Sequence, residues 1–155
     1  MNDIFSLFVA VFLTLIAVGF LRTYFLENTD DQKTFSAGKI PTKLPDGLYH
    51  GSAAGYNGSW QGKKFNRADK TGINEFKNAD KLTERFSFKT YVAKGVRDNQ
   101  DVIKIDYNIP ENPWYLRLIL DEIVEVGPDT YLGKLQVRCF PNFYFTFAYF
   151  SLEKK

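Results

Sequence analysis

The segment Gly58-Ser59-Trp60-Gln61-Gly62 decides how the rest of this chain is read. A tryptophan between small residues suits the early strand of a small β-barrel. The glycines let the backbone bend or approach a neighbour closely, and the indole plugs one end of the interior while its N–H requires a partner. Everything downstream reads as mainly β, so the expected fold is a compact antiparallel barrel that closes around this tryptophan.

Working outward, residues 47–52 and 59–67 are candidate strands joined by the Gly- and Asn-containing turn 53–58, and they pair as a hairpin. Residues 72–76 read as a short strand that ends in a turn at Asn78-Ala79-Asp80. A second hairpin joins 86–96 to 102–109 across a charged segment. Ile103, Ile105, Tyr107 and Ile109 alternate there with Lys104, Asp106 and Asn108, the period of a half-buried strand. Pro110 and Pro113 then interrupt the sheet, Asn112 stands where it would cap a helical turn, and Trp114 and Tyr115 lie in the loop. Residues 116–126 fit a helix almost as well as a strand. β-branched Ile119, Ile123, Val124 and Val126, with the turn Gly127-Pro128-Asp129, favour the strand. In 130–140, Tyr131, Leu135, Val137 and Cys139 alternate with Lys134, Gln136 and Arg138. Residues 143–152 are apolar on both faces, so the second face must meet sheet interior, lipid, ligand or another chain.

Ahead of the barrel, residues 4–21 form an uncharged run that is apolar on every side and long enough to cross a bilayer. No basic residue precedes it and no small-x-small cleavage pattern follows, which favours an uncleaved single-pass anchor over a secretory signal. The expected organisation is a transmembrane anchor over 1–26, a tether over 27–45 carrying Pro41 and Pro45, and a β-barrel domain over 46–155. Arg22, the first basic residue, tips the domain towards the cytosolic side by one charge, against nearby Glu27, Asp30 and Asp31.

The 155 residues, 45% of them hydrophobic, provide for one domain plus the anchor. Lys and Arg total 20 against 18 for Asp and Glu, a balance that gives no reason to expect nucleic acid as a partner. Lys63, Lys64, Arg67 and Lys70 make the one local basic cluster, read as a solvated strand face and turn. With Cys139 the single cysteine and His50 the single histidine, no disulfide, metal site or cofactor is expected. Asp106, Asp121 and Glu122 are the candidate general bases should one face an apolar cavity, with Tyr49, Tyr107 or Arg117 to steady developing charge. Adjacent Asp121 and Glu122 point to opposite faces of a strand, so at least one is expected in solvent.

Gly58 to Gly62 followed by Lys63-Lys64-Phe65, then Ile105-Asp106-Tyr107, Leu120-Asp121-Glu122, Tyr131-Leu132-Gly133-Lys134 and Tyr149-Phe150-Ser151-Leu152-Glu153, resembles in that order the G-x-W-x-G family of small, poorly characterised proteins. That family is similar in turn to lipocalin-like, calycin-type barrels, whose first strand carries a glycine-x-tryptophan and whose interiors hold apolar ligands. The resemblance implies that Arg138 packs over Trp60, and the short interval from Trp60 to Asp106 implies a compact or distorted barrel. Some glycine-x-tryptophan barrels bind haem through a histidine near the C-terminal end. His50 lies far from that position, so no haem ligand carries over.

Together these readings imply a membrane-anchored binding domain for an apolar or amphiphilic, lipid-like small molecule, with Trp60, Phe88, Tyr107, Trp114 and Tyr131 lining or rimming the cavity. The competing expectation is that the same aromatics fill the barrel. Two other classes stand beside it: a membrane-tethered protein-interaction module that presents residues 143–150 to a membrane-protein partner, and an isomerase-like or cyclase-like enzyme with an inward carboxylate.

Overall fold

The structure, a computed structural model, describes residues 2–155; Met1 of the expected anchor lies outside the described residues. Among these residues, two α-helices, α1 (Asn2–Leu26) and α2 (Asp30–Ala37), precede eight strands. The strands are β1 (Gly47–Ser52), β2 (Trp60–Asn66), β3 (Thr71–Asn78), β4 (Lys81–Lys94), β5 (Asp101–Asp106), β6 (Ile119–Gly127), β7 (Thr130–Phe140) and β8 (Phe143–Lys154). Each pairs antiparallel with the next and β8 closes back on β1, so the fold is mainly β, a closed eight-stranded barrel with an N-terminal apolar helix. Residues 116–126 divide into a 3-10 turn, Leu116–Leu118, and β6, the strand that β-branching favoured.

One irregularity in β2 sets what the barrel contains. Trp60 and Lys63 are three residues apart, so strict alternation would send them to opposite faces. The register instead slips between Trp60 and Gly62, leaving Gln61 as a bulge, and both side chains enter the interior. Gly62 makes the bulge affordable: its φ is +141°, and a Cβ there would stand 2.0 Å from the Tyr49 carbonyl oxygen across the β1–β2 pair. Lys63 therefore does not join Lys64 and Arg67 on a solvated face. Lys64, Arg67 and Lys70 are exposed, with Lys64 donating to Glu84 and Arg67 to the Leu44 carbonyl.

The interior is packed with Tyr49, Phe65, Phe88, Ile103, Ile105, Ile123, Tyr131, Phe150 and Leu152, and its rings meet edge to face. Ile40 and Leu44, from the segment leading into β1, pack against this core.

The segment expected to be a tether is instead part of the fold. Helix α2 precedes Pro41 and Pro45 and lies against the outside of β6 and β7, with Phe35 fully buried beneath it. Its cover explains a second departure from the sequence reading. Lys104, Glu122, Lys134 and Tyr149 are directly opposite one another across β5 to β8 on the outer face, yet all are buried. Glu122 accepts from Lys104 and from the Val96 N–H, Lys134 donates to Asp98, and Tyr149 donates to Gln32. Asp121 and Glu122 do point to opposite faces, but neither is solvated. The β5–β6 loop differs too: Asn112 caps no helix and donates to the Ser87 and Tyr107 carbonyls instead.

Helix α1 is long and apolar enough to cross a membrane, and its large apolar side chains are mostly exposed, Phe20 beside β8 among them. β1 pairs with β8 only from Ser151 onward, so the earlier part of β8 has a free edge. Arg22, Thr23 and Arg97 donate to the carbonyls of Phe147, Thr146 and Tyr144 there, and the Thr146 N–H donates to Thr23. Along β8, Phe150 and Leu152 face the core, and nearer the hairpin tip Phe143 and Phe145 meet Phe20 of α1.

Candidate functional site

At the centre of the barrel the bulge delivers an ammonium group into a ring of aromatics. Lys63 Nζ lies 5.1 to 5.4 Å from the ring centroids of Tyr107, Phe150, Phe88 and Trp60, within cation–π range of each. It pairs with Asp121 Oδ2 at 3.0 Å and donates to Asn74 Oδ1 at 2.9 Å and to the Tyr107 hydroxyl at 2.5 Å. Asn74 also accepts from Trp60 Nε1 at 3.1 Å, which supplies the partner the indole N–H required, and its Nδ2 donates to the Tyr107 hydroxyl and the Phe86 carbonyl. Phe86 holds φ at 64°, an uncommon conformation for a bulky residue, at a bulge in the β3–β4 pairing. Strain of this kind persists where surrounding contacts over-determine it.

The electrostatics follow from burial. Desolvation pushes the Lys63 ammonium below its ordinary pKa and Asp121 pulls the other way. The Tyr107 phenol is held well above its ordinary value, first by burial and then by the Asp121 charge beside it. Tyr107 is thus a neutral hydrogen-bonding group at any physiological pH. Asp121 Oδ1 is buried and has no hydrogen-bond partner among the described residues, whereas Oδ2 meets Lys63 and the Tyr107 hydroxyl.

Of the residues the sequence nominated, the structure brings Trp60, Phe88, Tyr107 and Asp121 together around Lys63. Tyr131 is also interior, against Tyr49. Trp114 is not: it sits on the β5–β6 loop with 74% of its surface exposed. Asp106 faces outward and accepts from Tyr91, and Glu122 belongs to the layer under α2. Lys63, not Arg138, is the cation near Trp60; Arg138 donates to the Arg117 carbonyl outside the barrel. His50 is exposed on β1. Lys63 and Asn74 were missed because alternation from Trp60 places Lys63 outside and nothing local marks the bulge beyond Gly62 itself. Among the described residues no three His, Cys, Asp or Glu side chains gather as a metal site.

Trp60 stands at the end of the barrel shared by the β1–β2, β3–β4, β5–β6 and β7–β8 connections. It is half-buried, edge-on to Phe150, and its ring lies where a Cβ on Gly51 would come within 2.3 Å of it. An open cleft of about 480 Å³ lies between β2 to β4 and residues 109–111, lined by Lys64, Ile73 and Ser87 and also by Phe65 and Phe88 of the core. None of Lys63, Asn74, Tyr107 or Asp121 lines it.

No family model and no curated protein matches this chain. Among solved structures, a protein from Thermomonospora curvata is similar to it at 14% identity with a TM-score of 0.57, over 80% of this chain and 84% of that one. At that identity the likeness is one of fold: a closed antiparallel barrel, an architecture that fits a binding-type domain.

Proposed function

We propose that the chain is a membrane-anchored binding domain for an amphiphilic small molecule, held by α1 in the bilayer with the barrel on the cytosolic face. The observation that carries the reading is the unpartnered, buried Asp121 Oδ1 inside an aromatic barrel. Leaving a buried acceptor unmade costs roughly 1–3 kcal/mol, and a hydroxyl or amide donor of a ligand would relieve that cost. Eight-stranded barrels have interiors just wide enough either to be filled by side chains or to hold one small ligand. Here the rings occupy the interior, so binding requires Trp60 to swing away from Gly51 and open the end it closes. The ligand's polar head then reaches Asp121 and Tyr107, and its apolar part replaces the indole against Phe150 and Phe88.

Two further features support a source in the membrane. Helix α1 runs from Thr23, beside Thr146, towards the end of the barrel that Trp60 closes, so an amphiphile leaving the bilayer meets the opening first. The helix is also fastened to β8 through Arg22 and Thr23, and its removal would uncover the β8 edge. Intrinsic fluorescence tests the reading. In the full chain with Trp114→Phe, so that Trp60 alone reports, 1-decanol should shift the emission saturably and decane, which has no donor, should not. Identical responses to both, or no response to either, would sink it.

A further inference from the structure

The contacts of α1 with the β7–β8 hairpin follow the order of the helix. Thr23 meets Thr146, Arg22 covers the Phe147 ring, Phe20 meets Phe143 and Phe145, and Phe12 meets Phe140 at the tip. Gly19 lets this happen: a Cβ there would lie 2.6 Å from the Phe145 ring. From Arg22 back to Phe12 a helix rises roughly 15 Å. The hairpin therefore runs alongside the helix for about half of a hydrocarbon layer roughly 30 Å thick.

We propose that the tip of the β7–β8 hairpin is itself embedded in the bilayer, an aromatic finger whose exposed rings contact lipid acyl chains. This rests on the reading that α1 spans the membrane: if Arg22 marks the interface, Phe140 cannot touch Phe12 from the aqueous side. The finger suits that environment. Phe140 and Phe147 are 47% and 50% exposed. Pro141, at the turn, has no N–H to satisfy, and Phe140 pairs with Phe143 within the hairpin. On the β8 edge, where an unpaired strand would be intolerable in lipid, the helix lies alongside. Around the same end of the barrel stand exposed Trp114 and Tyr115, with Arg117 and Arg138 linked beside them, the residue types that settle at headgroup level. The occupant of the Phe140 surface is thus continuous with whatever surrounds α1.

The chain's single cysteine, Cys139, sits beside the tip, so a nitroxide can be placed there in liposomes with no substitution. In a Cys139→Ser background, labels would also be placed through Phe140→Cys, Leu13→Cys in α1, and Asp69→Cys in the exposed β2–β3 turn. Collision with oxygen relative to a water-soluble nickel chelate reports depth. Labels at 139, 140 and 13 should show an oxygen-to-nickel ratio severalfold above that at 69. A label at 13 in lipid with those at 139 and 140 open to nickel would overturn the embedded finger while leaving the anchor intact. Labels at 139 and 140 shielded from both reagents would assign the surface to a protein partner and overturn it equally. A nickel-accessible label at 13 would remove the anchor and the finger together.

Discussion

Lys63 Nζ and Asp121 Oδ2 lie 3.0 Å apart in the middle of the barrel, with side chains only 3% and 4% exposed. A buried pair of this kind is weak as a source of stability, since well-packed apolar residues of similar volume often do as well. Breaking it one-sidedly is another matter. Lys63→Met alone should cost about 3–5 kcal/mol because it strands the Asp121 charge. The double change Lys63→Met with Asp121→Leu should recover most of that loss in urea unfolding. Equal losses for the single and double variants would mean that the two groups do not act as a pair.

The bulge that places Lys63 inside predicts a specific sensitivity at Gly62. Gly62→Ala forces both a positive φ on a residue with a Cβ and a 2.0 Å approach to the Tyr49 carbonyl. Gly55 also has positive φ, at 74°, but open space around it. Gly55→Ala should therefore lose only about 1 kcal/mol, whereas Gly62→Ala should lose clearly more and uncouple β1 from β2. Hydrogen exchange at the β1 amides distinguishes the two.

The end of α1 is locked to the barrel by a bidentate pair, Arg97 Nε and Nη2 to the Glu27 carboxylate at 2.5 and 2.9 Å, with Thr146 also donating to it. Burial by itself would raise the Glu27 pKa, but the hydrogen bonds from Arg97 and Thr146 and the Arg97 charge hold it below the ordinary 4.5. A carboxylate with a depressed folded-state pKa contributes stability that is complete above its unfolded value and is lost as pH falls through the folded one. The difference in melting temperature between the natural chain and Glu27→Gln should be constant from neutrality down to about pH 4.5 and should shrink in stronger acid. A difference that grows on acidification would refute the assignment.

Trp60 should be displaceable by one carbon. A Cβ at Gly51 would lie 2.3 Å from the indole, so Gly51→Ala in a Trp114→Phe background should red-shift the Trp60 emission and raise its quenching by acrylamide. An unchanged spectrum would show that the ring has no room to move, and the opening proposed at that end would fail with it.

The barrel was largely legible because Trp60, the alternation in 102–109 and 130–140, and the β-branched run after Ile119 all express periodicity, which sequence carries directly. What covers the barrel was not. Lys104, Glu122 and Lys134 read as solvent-facing because each alternates correctly with apolar neighbours, and nothing local reveals that Phe35 and the β4–β5 loop will lie over them. Helix α2 was hidden by reading Pro41 and Pro45 back across residues they do not restrict. Lys63 was misplaced for a finer reason: one bulge residue inverts the face of everything after it in the strand. Trp114 was credited with a role on residue type alone; it is exposed on a loop whose Ile109 and Asn112 are buried.

Native mass spectrometry of the full chain, purified in detergent, is the most direct test of ligand binding. The protein should carry an adduct of reproducible mass, absent from Trp60→Ala and from the folded double variant Lys63→Met with Asp121→Leu. A bare protein in every case, still bare after incubation with a total lipid extract of the expressing cells, would contradict the proposed binding function.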